Sequence, residues 1–132
     1  MNHRGSLSDM VLVKDNHLLG QGGGIGAGVR RARELWPGRG VEVECDRPAQ
    51  VEEAVSAGAD VVMLDNMDPG QVRECVAFVR AHALRGTLVE VSGGVTVETV
   101  AAYAAAGADL ISTSAITQSA AALDIGLDLA LE

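Results

Sequence analysis

The sequence predicts an α/β fold with about five parallel strands and helices between them. Two observations carry this. Short β-branched or apolar runs alternate with amphipathic segments along the chain, and each run ends in a polar residue or a cysteine. The unit Ala-Gly-Ala-Asp also occurs twice, at 57–60 and 106–109, each time between an Ala-rich segment and an apolar run. That recurrence is the rhythm of repeated strand–helix units, whose parallel strands require right-handed crossovers.

The predicted strands, in order, are Met10-Val-Leu-Val-Lys14, Val41-Glu-Val-Glu-Cys45, Val61-Val-Met-Leu-Asp65, Leu88-Val-Glu-Val-Ser92 and Leu110-Ile-Ser-Thr113. Each has four or five residues, the size of a strand buried on both faces. Helices are expected near 25–36, 48–57, 69–83, 97–106 and 120–131. Pro48 and Pro69 suit a first helical turn, where the missing N–H is not needed, and Asp68 is placed to cap the helix that Pro69 opens. Gly58 and Gly107 are placed to take the left-handed position that closes a helix. Five units do not close an eight-stranded barrel. The pattern fits either a small doubly wound sheet or part of a larger barrel. The expected core includes Val11, Val13, Val43, Val62, Leu64, Val89, Val91 and Ile111, with Met10, Met63 and Met67 as packing and Cys45 and Cys75 as small buried apolar groups.

With 132 residues the chain has the length of one domain, and 48% hydrophobic against 21% charged residues is a globular composition. Aromatics are 2%, so Val, Leu, Ile and Ala must fill the core. The net charge of −8 argues against nucleic acid as the main partner, because duplex-binding surfaces carry a basic excess. No apolar run has the length of a membrane span, no secretory leader is recognisable, and two cysteines make no disulfide framework. A cytoplasmic location is the expectation. The glycine-rich stretch 20–28 superficially suggests a dinucleotide loop, but Val29 stands where the third glycine belongs, so a plain strand–helix loop is expected.

Ligands of parallel α/β folds sit beyond the carboxyl ends of the strands. There the chain offers Lys14-Asp15-Asn16-His17, Glu44, Asp65-Asn66, Ser92-Gly93-Gly94 and Ser112–Ser114, and it opens with Asn2-His3-Arg4. Cations suit a polyanionic substrate, and carboxylates suit Mg²⁺, ribose hydroxyls or a positive charge developing on a sugar carbon. The Ser92-Gly93-Gly94 turn can turn backbone N–H groups toward a phosphate, and residues 112–115 can do the same at the next strand end. Each element also has a plainer explanation. Lys14 and Asp15 could be a solvated ion pair. Glu42 and Glu44 share a strand face and could mark a solvated edge strand. Asp65-Asn66 could cap the next helix, and Ser92-Gly93-Gly94 could be only a tight turn.

Taken together the motifs resemble the quinolinate phosphoribosyltransferase family. The matching stretches are Asn2-His3-Arg4, Leu12-Val-Lys14-Asp15-Asn16-His17, Val41-Glu-Val-Glu44, Leu64-Asp65-Asn66, Val91-Ser-Gly-Gly94 and Leu123-Asp124-Ile-Gly-Leu127. The resemblance covers essentially the whole chain. It implies a partial, open, TIM-like β/α barrel with outer helices, forming the C-terminal portion of the barrel domain without the family's N-terminal sandwich domain. It implies the conversion of quinolinate and phosphoribosyl pyrophosphate to nicotinate mononucleotide, pyrophosphate and CO₂ in NAD biosynthesis, with Mg²⁺. Lys14, Glu44 and Asp65 would be catalytic. His3, Arg4, Lys14, Ser92, Gly93 and Ser114 would bind substrate, and Glu44 and Asp65 would meet Mg²⁺ mostly through substrate or water. The family often has glycine at the position of Ser114, which leaves phosphate placement at that strand open. Family members are about twice as long, act as homodimers or larger homo-oligomers, and complete the site with arginines from elsewhere, so little activity is expected of this chain alone. Two other outcomes are a related phosphoribosyltransferase-like protein of a metal-transport cluster and a non-catalytic subunit.

Overall fold

The computed structural model describes residues 6, 9–14, 17, 24–118, 120, 123 and 125. Among them the elements run β1 (Met10–Val13), α1 (Gly24–Leu35), β2 (Gly40–Cys45), α2 (Pro48–Ser56), β3 (Val61–Asp65), α3 (Pro69–His82), β4 (Leu88–Ser92), α4 (Val100–Ala105), β5 (Leu110–Ile111) and α5 (Ala115–Gln118). The sheet order is β1-β2-β3-β4-β5, and every pair is parallel.

This order decides between the two architectures. A doubly wound sheet reverses strand order and places helices on both faces. Here the buried strand residues that pack against helices, Val13, Val41, Val43, Cys45, Val62, Leu64, Val89 and Val91, alternate along their strands and share one face. Onto that face α1 packs Ile25, Val29 and Ala32, α2 packs Val51, Ala54 and Val55, α3 packs Val72, Cys75, Val76 and Val79, and α4 packs Tyr103. A singly wound arc with helices on one side is a partial β/α barrel. The opposite face carries Glu42, Val61, Met63 and Glu90, which are also buried.

Most expected elements appear within two residues of their expected bounds. β3 and β4 match fully. Asp68 caps α3, its carboxylate accepting from the N–H groups of Gly70 and Gln71, while the Gln71 side chain accepts from the Asp68 N–H. Gly58 and Gly107 have φ of 78° and 99°, as a helix-closing glycine requires. Val11 and Ile111 are only partly buried, because they lie on the outermost strands. Four expectations change. Residues 24–28 are helical, as the helix expected from 25 had it and against the loop expected over 20–28, and the Glu53 carboxylate reaches from α2 to accept the Gly26 N–H at 3.2 Å. Helix α4 begins at Val100, because Thr96 and Thr99 hydrogen-bond each other in a turn before it. β5 pairs only two residues. The short α5 was not foreseen, and the helix expected at 120–131 falls mostly outside the described residues. Among the described residues no helix is long and apolar enough to cross a membrane.

The repeated Ala-Gly-Ala-Asp unit does more than turn the chain. Asp60, just before β3, accepts the Val41 N–H of β2 at 2.7 Å on Oδ2 and the Arg33 guanidinium of α1 at 3.1 Å. Its own N–H donates to the Val41 carbonyl. Asp109, just before β5, repeats the arrangement one unit pair later. It accepts the Val89 N–H of β4 at 2.7 Å and the Arg80 guanidinium of α3 at 2.7 and 2.8 Å, and its N–H donates to the Val89 carbonyl. Each aspartate thus ties a helix to the start of two neighbouring strands. Asp109→Ala is expected to lower stability by about 2 kcal/mol, the cost of stranding a charged partner and a strand N–H. The shift of the urea unfolding midpoint measures it, and a change below ~0.5 kcal/mol removes the clamp from the account.

Candidate active site

Because the pairing is parallel and in register, the residues after each strand emerge at one edge of the sheet. Lys14 follows Val13, the partner of Val43, and Glu44 follows Val43. Lys14 Nζ and a Glu44 carboxylate oxygen lie 2.6 Å apart, with the lysine side chain 47% and the glutamate 18% exposed. Lys14 thus meets Glu44 at this edge, and Asp15 lies outside the described residues. β2 is flanked by β1 and β3, so the edge-strand explanation of its two glutamates does not hold. Glu42 is 1% exposed.

Asp65 pairs with Ser92 across β3 and β4. It does not cap α3, since Asp68 does. Its Oδ2 accepts from the Asn66 side-chain amide at 2.8 Å, and the Asn66 N–H donates to the Ser92 carbonyl at 3.0 Å. Asn66 holds a positive φ of 56°, tolerable for asparagine. That turn presses Asn66 against Gly93, where a Cβ would stand 2.4 Å from Asn66 Oδ1 and 2.9 Å from its backbone nitrogen. Gly93 and Gly94 have φ of 84° and 64°, so Ser92-Gly93-Gly94 is a tight turn at the carboxylate rim. Beneath it, the Tyr103 hydroxyl donates to the Met67 carbonyl at 3.1 Å and steadies the loop after β3.

At β5, Ser112 and Thr113 turn their hydroxyls inward, to Glu90 and to the Val95 carbonyl, while Ser114 is exposed. The Ala115 N–H donates to Thr113 Oγ1, so it is already engaged within this turn. The structure therefore brings together Lys14, Glu44, Asp65, Ser92, Gly93 and Ser114 on one rim. His3 and Arg4 lie outside the described residues. The sequence places His17 and Asn66 at the strand ends without giving them a role of their own, and it does not connect Glu90 with the rim. The His17 ring nitrogen Nδ1 accepts the Lys14 backbone N–H at 3.0 Å, and the His17 backbone N–H donates to the Lys14 carbonyl, closing the turn that presents the lysine. The three-residue spacing from Lys14 to His17 was the available signal. A cavity of about 200 Å³ lies toward the amino ends of the strands, lined by Met10, Glu42, Val61, Leu88, Leu110 and Glu90, the last of which also accepts from Ser112.

Neither cysteine is a nucleophile. Both are buried. Burial pushes the Cys45 thiol up to about 12, with Cys75, Asp46, Glu44 and Glu53 adding to it, and burial with Glu74 also raises Cys75. The native protein is expected to resist iodoacetamide at pH 8 and to react once unfolded. Between 9.0 and about 12 the folded thiol keeps a proton that the unfolded one loses, so stability falls as pH rises through that window. Urea midpoints across the window check the sign. A further comparison tests the rim turn. At Gly58 a Cβ meets nothing within 4 Å, so Gly58→Ala is expected to cost about 1–2 kcal/mol for the left-handed backbone alone. Gly93→Ala is expected to cost more in the same unfolding assay, because Asn66 must also move.

Nearly the whole chain is similar to known proteins. The probable nicotinate-nucleotide pyrophosphorylase [carboxylating] of Archaeoglobus fulgidus is 41% identical over 128 residues, covering 95% of this chain and 48% of that protein. The human nicotinate-nucleotide pyrophosphorylase [carboxylating] is 37% identical over 129 residues, covering 97% of this chain and 43% of its own length. The solved structure of the nicotinate-nucleotide pyrophosphorylase from Francisella tularensis superposes with a TM-score of 0.79 at 37% identity, over 89% of this chain and 40% of that one. Thiamine phosphate pyrophosphorylase from Pyrococcus furiosus, at 17% identity and a TM-score of 0.60, shares the fold alone. The chain spans less than half the length of these curated relatives. The model of the C-terminal domain of quinolinate phosphoribosyl transferase matches residues 1–128, and this chain belongs to that family.

Proposed function

We propose that this chain supplies the phosphoribosyl-transfer rim of an enzyme that joins quinolinate to the ribose of phosphoribosyl pyrophosphate, releasing pyrophosphate and CO₂ and forming nicotinate mononucleotide. The convergence of Lys14, Glu44, Asp65 and the Ser92-Gly93-Gly94 turn at one sheet edge carries this reading. Family membership and the carboxylating names of the relatives support it.

The chemistry follows from charge. As the C–O bond to pyrophosphate lengthens, positive charge grows on the sugar carbon, and carboxylates near it lower the energy of that state. Glu44 and Asp65 are the candidates. Lys14 is a compact cation for a substrate carboxylate or phosphate oxygen, and it exchanges Glu44 for that anion when substrate arrives. The pyridine nitrogen of quinolinate attacks the sugar carbon. The bond to its adjacent carboxylate then breaks with loss of CO₂, the electron pair stays on that carbon beside the cationic ring nitrogen, and a proton from solvent takes the place of CO₂. No protein nucleophile is consumed.

The donor set also fits Mg²⁺. Among the described residues no cluster of three or more ligating side chains forms a cage. Mg²⁺ on phosphorylated substrates is usually held by one or two carboxylates with phosphates and water, and Glu44 and Asp65 are two carboxylates on one rim. Bound there, the ion would neutralise charge on the departing pyrophosphate.

Calorimetry with quinolinate and a pyrophosphate-release assay test the reading on the 132-residue chain. Saturable quinolinate binding that weakens about 10- to 100-fold in Lys14→Ala is expected, the range for losing a charge-assisted contact. Turnover by the chain alone is expected to be low, because the relatives' active proteins are about twice as long. Quinolinate binding untouched by Lys14→Ala would overturn the assignment.

A further inference from the structure

Two turns stand side by side on the rim, residues 92–95 after β4 and residues 112–115 after β5. Their ladder is the shortest in the sheet, with only Glu90–Leu110 and Val91–Ile111 in register. So short a ladder gives little hold on a loop that must keep its shape against an anion. Side chains hold it instead. The Thr113 hydroxyl donates to the Val95 carbonyl at 2.5 Å, across from one turn to the other. The same oxygen accepts the Ala115 N–H at 3.1 Å within its own turn. The Ser112 hydroxyl donates to Glu90 Oε1 at 2.6 Å, and the Ser112 N–H donates to the Val91 carbonyl at 2.8 Å. Glu90 is 1% exposed and sits two residues below Ser92 on the same face of β4.

We infer that Thr113 and Glu90 are positioning residues that join the two turns into one phosphate-binding unit. The inference rests on the proposed function for its ligand, but the coupling itself stands on these bonds. A hydroxyl has one proton to donate. Those of Ser112 and Thr113 point to Glu90 and Val95, so neither serves an anion in this arrangement. Their work is geometric. Thr113 fixes the far end of the Gly93-Gly94 turn through Val95, which is itself buried. Glu90 fixes the near end of the β5 turn through Ser112. The groups left to face a phosphate are the Gly93 and Gly94 amides and the Ser92 and Ser114 hydroxyls, and their spacing is set by residues that never touch the ligand.

The bland alternative is that these bonds only add to global stability. Thr113→Val keeps the side-chain shape and removes the hydroxyl, and Thr113→Ser restores it. Two quantities are measured on the 132-residue chain: amide hydrogen exchange at Gly93 and Gly94 without ligand, and affinity for inorganic phosphate followed by amide shifts. Thr113→Val is expected to speed Gly93 and Gly94 exchange about five- to tenfold relative to amides of α3, and to weaken phosphate by a similar factor, as the loss of one hydrogen bond predicts. Thr113→Ser is expected to return both to wild type. Ser112→Ala, which removes the hydroxyl that donates to Glu90, is expected to act in the same direction and serves if Thr113→Val fails to fold. Unchanged exchange at Gly93 and Gly94, with only a lower unfolding midpoint, overturns the coupling. Faster exchange with unchanged phosphate affinity overturns the positioning role. A wild-type chain that binds no phosphate at this rim, yet shows the exchange effect, overturns the site reading and leaves the coupling established.

Discussion

Each strand of this sheet pairs in parallel with the one before it, so every carboxyl end leaves at the same edge. The site depends on that constraint more than on any single contact. Lys14 and Glu44 meet because Val13 and Val43 are partners, and Asp65 stands beside the glycine turn because it is in register with Ser92. What holds the register is burial. Val43, Val62, Leu64, Val89 and Val91 are fully shielded on the helix side, and burying a side chain of this kind is worth about 1.5–3 kcal/mol. A slip by one residue would turn that layer toward the carboxylate face and bring Glu42 and Glu90 against the helices.

The two ends of the sheet are built differently. At the amino ends, Asp60 and Asp109 repeat one device, a carboxylate that accepts from a strand N–H and from an arginine of the preceding helix. The device stands before β3 and again before β5, two strands along. At the carboxyl ends the bonds tie one turn to the next, as Thr113 does with Val95, and Lys14 stays reachable. Stability is concentrated where no chemistry is expected, and the exposed lysine and carboxylates lie where a ligand can reach them. This division between a structural end and a chemical end is the general design of β/α barrels.

The face opposite the helices is unusual for its carboxylates. Glu42 and Glu90 are as thoroughly buried as the valines beside them. Burial of such groups is costly unless they are hydrogen-bonded, and Glu90 meets that condition through Ser112. Glu44, nearer the rim, meets it through Lys14, an ion pair open enough to water that an incoming anion can compete for the lysine.

Much of this was legible in the residues alone. Strand and helix order, the Asp68 cap, the closing glycines at 58 and 107, and the polar groups that end each strand follow from local periodicity and local turn chemistry, which a linear sequence contains. The pairing of Lys14 with Glu44, the reach of the Glu53 carboxylate to the Gly26 N–H, and the tie between Thr113 and Val95 were not legible. The choice between a doubly wound sheet and a barrel arc was not legible in periodicity, and only the family resemblance of the motifs pointed to the barrel. Each of these depends on which residues far apart in the chain become neighbours. That is decided when the helices settle on one face of the sheet and the register locks, an outcome of collective packing that no short window of sequence contains.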